Sequence, residues 1–316
     1  MAISDKMKEK KWGVFNHYLY NIQNNPALPN NQGAGETDWH TCTEALDVEK
    51  IARTLHEVGA GYYFITSMQG RKYMIADNEY YRSLVGDEAA DECLSRRDLI
   101  EDLYQALSKY GIDLYLYFTG DGPYKDEEHG RQFGFIEPRE NNMTMGFVQK
   151  WSKALESYAV KYGKKVNGWW IDGCYSDWFG YTEELLTPYY DAVKKGNPNA
   201  LVTFNNGVRE GLYRYYSRED FTSGEQENLK VIPESRFLDG VQTHILLPVG
   251  AGDSGIGCTW GSAGLGFTKE ELADYVSRVT SVGGVVTLDC MLNRDGSFDP
   301  DQVEALKYIG EKVNNK

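Results

Sequence analysis

The chain has 316 residues, 41% of them hydrophobic and 25% charged, a composition that supports a large buried core and excludes intrinsic disorder. Its formal net charge is −14, and no cluster of Lys and Arg interleaves with aromatics, which excludes the electrostatic footprint of a nucleic-acid or anionic-membrane partner.

Short apolar or β-branched runs alternate with longer amphipathic stretches from end to end, the pattern of repeated strand–helix units around a parallel sheet. A basic run, Lys6 to Lys11, reads as a solvated lead-in. The first strand is expected over Lys11–Leu19 and the first helix over Asp47–Val58, with Asp47 as N-cap and Gly59 as stop. The second unit pairs Tyr62–Met68 with a helix over Arg96–Tyr110, capped by Ser95 and stopped by Gly111. The third pairs Asp113–Thr119 with Met145–Tyr162, ended by Gly163, and the fourth pairs Val166–Ile171 with Glu183–Lys195, closed by Gly196 and Pro198. Leu201–Phe204, Asp220–Ser223, Val241–Leu247 and Val285–Asp289 read as strands five to eight, and helices at 269–282 and 300–314 complete the series. Eight strands favour an α/β fold of the (β/α)8 TIM-barrel type over an open sheet, and such barrels exceed about 250 residues as one domain. Residues 1–316 are therefore expected to form a single catalytic barrel.

Loops after strands are long and rich in Gly, Asp, Asn and aromatics, at 20–46, 69–94, 120–144, 173–182 and 248–267, whereas loops before strands are short. That asymmetry is expected of a barrel whose active site lies at the C-terminal ends of its strands. Aromatic residues make up 13% of the chain, and many sit beside Gly and Asp, which suits a site that stacks on the C–H faces of sugars. The five cysteines are Cys42, Cys93, Cys174, Cys258 and Cys290. They are scattered, which fits free thiols in a reducing compartment better than a disulfide framework or a zinc site. No segment has the roughly 18 apolar residues of a membrane helix, and no leader is visible. The sequence as given reads as cytoplasmic, with a leader removed before residue 1 as the open alternative.

Asp172 closes Gly168-Trp-Trp-Ile-Asp at the end of the fourth strand and precedes Gly173. A carboxylate on a barrel lip can attack an anomeric carbon or steady an oxocarbenium-like transition state; the competing reading is an Asp that caps the next loop. A glycosidase needs a second carboxyl. Glu225 and Glu227 follow the sixth strand and lead, while Glu36, Asp38 and Asp121 also fall on loops of that face. His17 ends the first strand, where it reads either as a donor to a sugar hydroxyl or as a satisfied core histidine. His244 lies mid-strand and His56 on a helix, and both read as structural. No nucleotide-binding motif or metal-ligand spacing is present, so no cofactor and no metal are expected. The Gly-rich stretch 250–266 reads as an active-site loop.

Lys11-Trp-Gly-Val-Phe-Asn-His-Tyr resembles the opening of the α-L-fucosidases of glycoside hydrolase family 29, and Asp38-Trp39 resembles their Glu-Trp loop. Ala60-Gly-Tyr-Tyr-Phe-Ile-Thr, Arg97-Asp98-Leu99 and Gly111-Ile-Asp-Leu-Tyr-Leu-Tyr follow the family's second and third units. Trp170-Ile-Asp-Gly is similar to its nucleophile motif, Asp220-Phe-Thr-Ser-Gly-Glu to its acid/base segment, and the ending from Gly283 to its last strand and helix. The resemblance implies a retaining exo-glycosidase acting on a terminal α-linked sugar, fucose or a related one. Asp172 would be its nucleophile, and Glu225, in preference to Glu227, its acid/base. It further implies sugar contacts from His17, Tyr18, Asp38, Trp39, Trp170 and Glu227.

Two departures stand out. Where the family carries paired histidines that hold fucose hydroxyls, this chain reads Ser67-Met-Gln-Gly-Arg-Lys-Tyr. Gln69, Arg71 and Lys72 are then the expected specificity contacts, and a cation there would suit a sugar bearing carboxylate or sulfate. The family's C-terminal β-sandwich is not expected either, because the chain ends on the last barrel helix. The alternative class is a carbohydrate-binding barrel without catalysis.

Overall fold

The computed structural model describes residues 3–253 and 259–314. Its strands are β1 (Trp12–Asn16), β2 (Tyr62–Thr66), β3 (Asp113–Thr119), β4 (Gly168–Asp172), β5 (Leu201–Phe204), β6 (Phe237–Leu238), β7 (Val241–Gln242), β8 (His244–Pro248) and β9 (Val285–Cys290). Seven of them form one sheet in the order β5-β4-β3-β2-β1-β9-β8, every pairing parallel. The β6–β7 pair is a separate antiparallel hairpin. Side chains alternate along each strand. One face of the sheet packs into the core shared with the surrounding helices. The other gathers Phe15, Phe64, Tyr117, Trp170, Leu201 and Leu246 into one buried cluster. Leu201 and Leu246 come from the two edge strands, so the sheet curls around this inner cluster.

The sixth strand expected at Asp220–Ser223 does not form, and the fold is a curled seven-stranded parallel sheet among the described residues. The chain from Asp220 to Gln226 instead runs between the two edges. Toward the β7–β8 side it keeps ladder-like bonds, Thr222 N–H to Gln242 O at 3.0 Å, Leu246 N–H to Gly224 O at 2.9 Å and Gln226 N–H to Leu246 O at 2.9 Å. Toward β5 only Asp220 N–H reaches a backbone carbonyl, that of Val202 at 2.8 Å. Carboxylates fill in there: Asp220 accepts from Val202 N–H at 2.9 Å and Glu219 from Phe204 N–H at 3.4 Å. Buried backbone donors must be paired, and side chains do here what a neighbouring strand would otherwise do.

The regular ladder breaks at Gly224, whose φ is +61° and where an added Cβ would lie 1.8 Å from His244 O. Only glycine fits both the close approach and the left-handed backbone. Gly224→Ala is expected to cost about 2–3 kcal/mol, seen as a lower urea midpoint with an unchanged slope.

Several local expectations are corrected. The second large helix spans Leu99–Ser108 and is capped by Asp98, which accepts from Glu101 N–H at 3.0 Å, not by Ser95; Ser95 Oγ bonds Arg97 O instead. A carboxylate at a helix start gains from the dipole as well as from the cap hydrogen bond. The seventh predicted strand is split at Thr243, whose N–H turns to Arg236 O at 2.8 Å. The basic run leads into β1 with Lys6 and Lys8 exposed, but as a helix, Asp5–Lys10, that buries Met7 in the inner cluster. Lys6 pairs with Asp113 at 2.7 Å and Lys10 reaches Gly111 O at 2.6 Å, so this helix closes the N-terminal ends of the strands. The long loops also carry helices, Tyr20–Gln23 and Trp39–Ala45 in the first and Glu79–Val85 and Asp87–Cys93 in the second. Among the described residues no helix is long and apolar enough to cross a membrane.

Candidate active site

Gly168, Trp170 and Asp172 alternate along β4, so Asp172 shares the inner face with Trp170 at the C-terminal end of the strand. Gly173 then turns the chain outward at φ +69°, and an added Cβ would lie 2.8 Å from the Asp121 carboxyl. Three neutral donors fix the Asp172 carboxylate. Tyr117 O–H donates to Oδ2 at 2.6 Å, while Asn205 Nδ2 and Tyr175 O–H reach Oδ1 at 2.8 and 3.2 Å. Behind it lies Asp121, buried, accepting from Thr119 Oγ1 and paired with Arg139. Burial pushes the Asp121 carboxyl up to about 7 against the opposing pull of Arg139. The Arg139 guanidinium lies over the Tyr124 ring at 3.6 Å and the Phe179 ring at 4.3 Å.

Glu225 follows the Gly224 kink and faces Asp172 across one side chain. Asn205 Nδ2 donates to Glu225 Oε2 at 2.7 Å as well as to Asp172 Oδ1 at 2.8 Å. Those two oxygens are thus no farther apart than the two contacts laid end to end. That limit falls within the separation of about 5–5.5 Å with which two carboxyls carry out glycoside hydrolysis with retention. Burial, and secondarily the charge of Asp172, raises Glu225 to about 8. A carboxyl kept protonated at neutral pH can give a proton to a leaving oxygen. With the shared amide removed, both carboxyls lose a common anchor. Asn205→Ala is therefore expected to lower kcat by roughly 10–100-fold with a smaller change in KM, as steady-state kinetics would read.

A cavity of about 250 Å³ opens onto the pair. His17 lines it, with Nδ1 at 2.9 Å from Asp289 Oδ1; Asp289 also accepts from Gly261 N–H at 2.5 Å. With Nδ1 engaged, Nε2 is the imidazole atom left for a ligand. Trp170 lines the floor and donates from Nε1 to Ser223 O at 3.0 Å. Trp260, Gln69, Tyr124 and Lys125 complete much of the wall. Among the described residues no group of three or more His, Cys, Asp or Glu side chains is placed to hold a metal ion.

The family model for α-L-fucosidase matches residues 5–316. The chain belongs to the α-L-fucosidase family. It is accordingly a glycoside hydrolase, fucosidase-like. Comparison with curated protein sequences yields no significant match. Among solved structures, the chain is similar to a family 29 α-L-fucosidase from Bacteroides thetaiotaomicron trapped as a covalent intermediate. The identity is 16% over 99% of this chain and 74% of that one, with a TM-score of 0.66. It is also similar to α-L-fucosidase isoenzyme 1 from Paenibacillus thiaminolyticus, at 17% identity over 98% and 76% of the chains and a TM-score of 0.67. The α-L-fucosidase AlfC from Lactobacillus casei, in complex with α-L-fucose, matches at 16% identity over 99% and 98%, with a TM-score of 0.64.

Within this α-L-fucosidase-family chain, Asp172, Glu225, His17, Gln69 and Trp170 converge on one cavity. Other expected contacts do not line it. Tyr18 is buried and its hydroxyl donates to Cys42 O at 2.6 Å. Asp38 caps the helix Trp39–Ala45, accepting from Thr41 N–H. Trp39 is buried with Nε1 on Met74 O. Arg71 is drawn to Asp126 at 3.8 Å and Lys72 to Glu92 at 3.1 Å. Glu227 lines a neighbouring cavity, and Glu36 is exposed. His244 is buried between Thr222 O and Thr287 Oγ1, and burial lowers it to about 4. His56 stacks on Tyr110.

Sequence reasoning missed Asn205, Tyr117, Tyr175, Asp289, Trp260 and Lys125. Asn205 and Asp289 carried the same signal as Asp172, a polar residue at the C-terminal end of a barrel strand. Tyr117 looked like one more core aromatic, and nothing in the sequence tied it to a carboxylate. Trp260 belongs to the Gly-rich stretch 250–266, of which residues 254–258, and with them Cys258, lie outside the described residues.

Proposed function

We propose that this chain is an exo-acting glycosidase that removes a terminal α-linked fucose or closely related sugar, with Asp172 as nucleophile and Glu225 as acid/base. The observation that carries this reading is the single amide of Asn205 joining both carboxyls at the base of a cavity that suits one sugar ring. Asp172 attacks the anomeric carbon as the glycosidic bond breaks, and the departing oxygen takes the proton of Glu225. Water then loses a proton to Glu225 and attacks the same carbon, freeing Asp172. His17 Nε2 and the Trp170 ring are suited to hold a sugar hydroxyl and a sugar face. An eighth strand position filled by residues 220–226, completing a (β/α)8-type barrel in one domain, agrees with this reading.

Proton NMR of the first product from an aryl α-L-fucoside tests the mechanism: the α-anomer should appear first. Initial release of the β-anomer would overturn it.

Lys125 favours a second reading for the sugar. It reaches the cavity where Arg71 and Lys72 do not, and among the described residues no carboxylate lies within ion-pair distance of its ammonium. A sulfated or carboxylated sugar would supply that partner. Higher kcat/KM on sulfated than on plain fucosides would select this reading, and the reverse order would reject it.

A further inference from the structure

The sequence offers Asp121 as one more carboxyl on the loops of the catalytic face, but its side chain is buried and does not line the cavity. It lies behind the nucleophile. The chain around it is fixed to the end of β4. Gly120 N–H donates to Asp172 O at 2.6 Å, and the Asp121 carboxyl packs so closely on Gly173 that a Cβ there would lie 2.8 Å away. Thr119 Oγ1 donates to one Asp121 oxygen and Arg139 pairs with the other.

Arg139 comes from the loop 133–144 and is clamped between two rings, Tyr124 at 3.6 Å and Phe179 at 4.3 Å. Tyr124 belongs to the cavity wall. Phe179 stacks on Tyr175 at 5.1 Å, and the Tyr175 O–H reaches Asp172 Oδ1 at 3.2 Å. Backbone bonds from Asn141 N–H to Trp178 O at 2.8 Å and from Met143 N–H to Phe179 O at 3.1 Å tie the same loop to the one after β4. The ion pair thus touches the nucleophile by two routes, through Gly173 and through Phe179 and Tyr175.

Charge adds to these contacts. Among the described residues the Asp172 carboxylate is bonded by neutral donors alone, Tyr117, Tyr175 and Asn205. A buried guanidinium acts over several ångströms, because the interior screens charge far less than water does. Left uncompensated behind Asp172, it would oppose the positive charge that develops at the anomeric carbon. A second buried carboxylate beside Asp172 would in turn be costly without a cation to offset it.

We infer that Asp121 and Arg139 are the positioning pair of the nucleophile: they brace the loops after β3 and β4 behind Asp172, and Asp121 cancels the cation so that no net positive charge opposes attack. The inference rests on the proposed role of Asp172.

Two ligands of one shape separate charge from packing: L-fucose, which is neutral, and its 1,5-imino analogue, which binds as an ammonium. Asp121→Asn keeps the side-chain shape and leaves Arg139 charged between its rings. Calorimetry is run at pH 8, above the value of about 7 to which burial raises the Asp121 carboxyl. The Kd of the imino sugar should rise roughly tenfold in the variant, and that of fucose should stay within about twofold of wild type. The kcat for an aryl fucoside should fall roughly tenfold with little change in KM. Asp121→Asn combined with Arg139→Gln removes both charges and should return Kd and kcat to within about threefold of wild type. Recovery on a second substitution is what charge balance requires and what lost packing does not give.

Equal loss for both ligands in Asp121→Asn, loss for neither, or a double variant no better than the single one would overturn the pair. Should Asp121→Asn not fold, Arg139→Gln alone carries the test: the Kd of the imino sugar relative to fucose should hold or fall, and a rise overturns the proposal. If the charge pattern of binding appears while no fucoside is cleaved, the cleavage reading fails and the charge balance stands. If the wild-type protein binds neither ligand, both fail.

Discussion

Asp172→Gly is expected to lower turnover of an aryl fucoside by on the order of 10⁴-fold or more, because it removes the carboxylate proposed to form the bond to the anomeric carbon. The variant keeps Asn205, Tyr117 and Tyr175 around an emptied space. A small anion can enter from the opened face, so added azide should restore part of the rate by attacking that carbon itself and yield the glycosyl azide of inverted configuration. Kinetics with and without azide, and NMR of the product, read both effects. Near wild-type turnover in the variant would remove Asp172 from the mechanism.

The second large effect belongs to Glu225. With Glu225→Gln, kcat/KM on a disaccharide should fall roughly 10²–10⁴-fold, while an aryl fucoside with a good leaving group loses far less in the first step. The pH dependence follows from the raised carboxyl. Bond cleavage needs the protonated form, so wild-type kcat/KM should fall as pH rises through about 8, and this alkaline limb should vanish in Glu225→Gln.

Stability shifts the other way. A carboxyl whose folded pKa lies above its unfolded value of about 4.3 contributes stability that is complete below the unfolded value and lost as pH rises through the folded one. Glu225→Gln should therefore gain Tm relative to wild type between pH 5 and pH 8, measured by thermal unfolding across that range. A gain in stability at the cost of activity marks a residue held at a site for its chemistry.

The two carboxyls were legible in the sequence for different reasons. Asp172 announced itself by position, at the end of a strand and before a glycine, which is where the chain must leave the sheet with its side chain still inward. Glu225 sits beyond a segment that forms no strand, and no periodicity marks it; family resemblance alone separated it from Glu227. The missing strand has a physical cause. Residues 220–226 look like a strand because Phe221 packs inward, yet the β5 donors Val202 N–H and Phe204 N–H turn to the carboxylates of Asp220 and Glu219, which local pattern does not reveal. Tyr18, Asp38 and Trp39 illustrate the converse. Polar and aromatic residues at a loop mouth were expected to face the ligand, but the helix Trp39–Ala45 claims Asp38 as its cap and buries Trp39 behind the wall. Asn205 shows what strand-end logic offers when applied evenly, since Leu201–Phe204 was expected correctly and the next residue is the link between the carboxyls.

The central claim is that Asp172 forms a covalent bond to the sugar. Incubation with a fluorinated fucosyl fluoride, whose glycosyl-enzyme breaks down slowly, followed by mass spectrometry of the intact protein and its peptides, tests it directly. A single added fluorosugar, located on Asp172 and absent from Asp172→Gly, is the expected result. Label on a different carboxylate, or turnover of the fluoride with no label at any time, would contradict it.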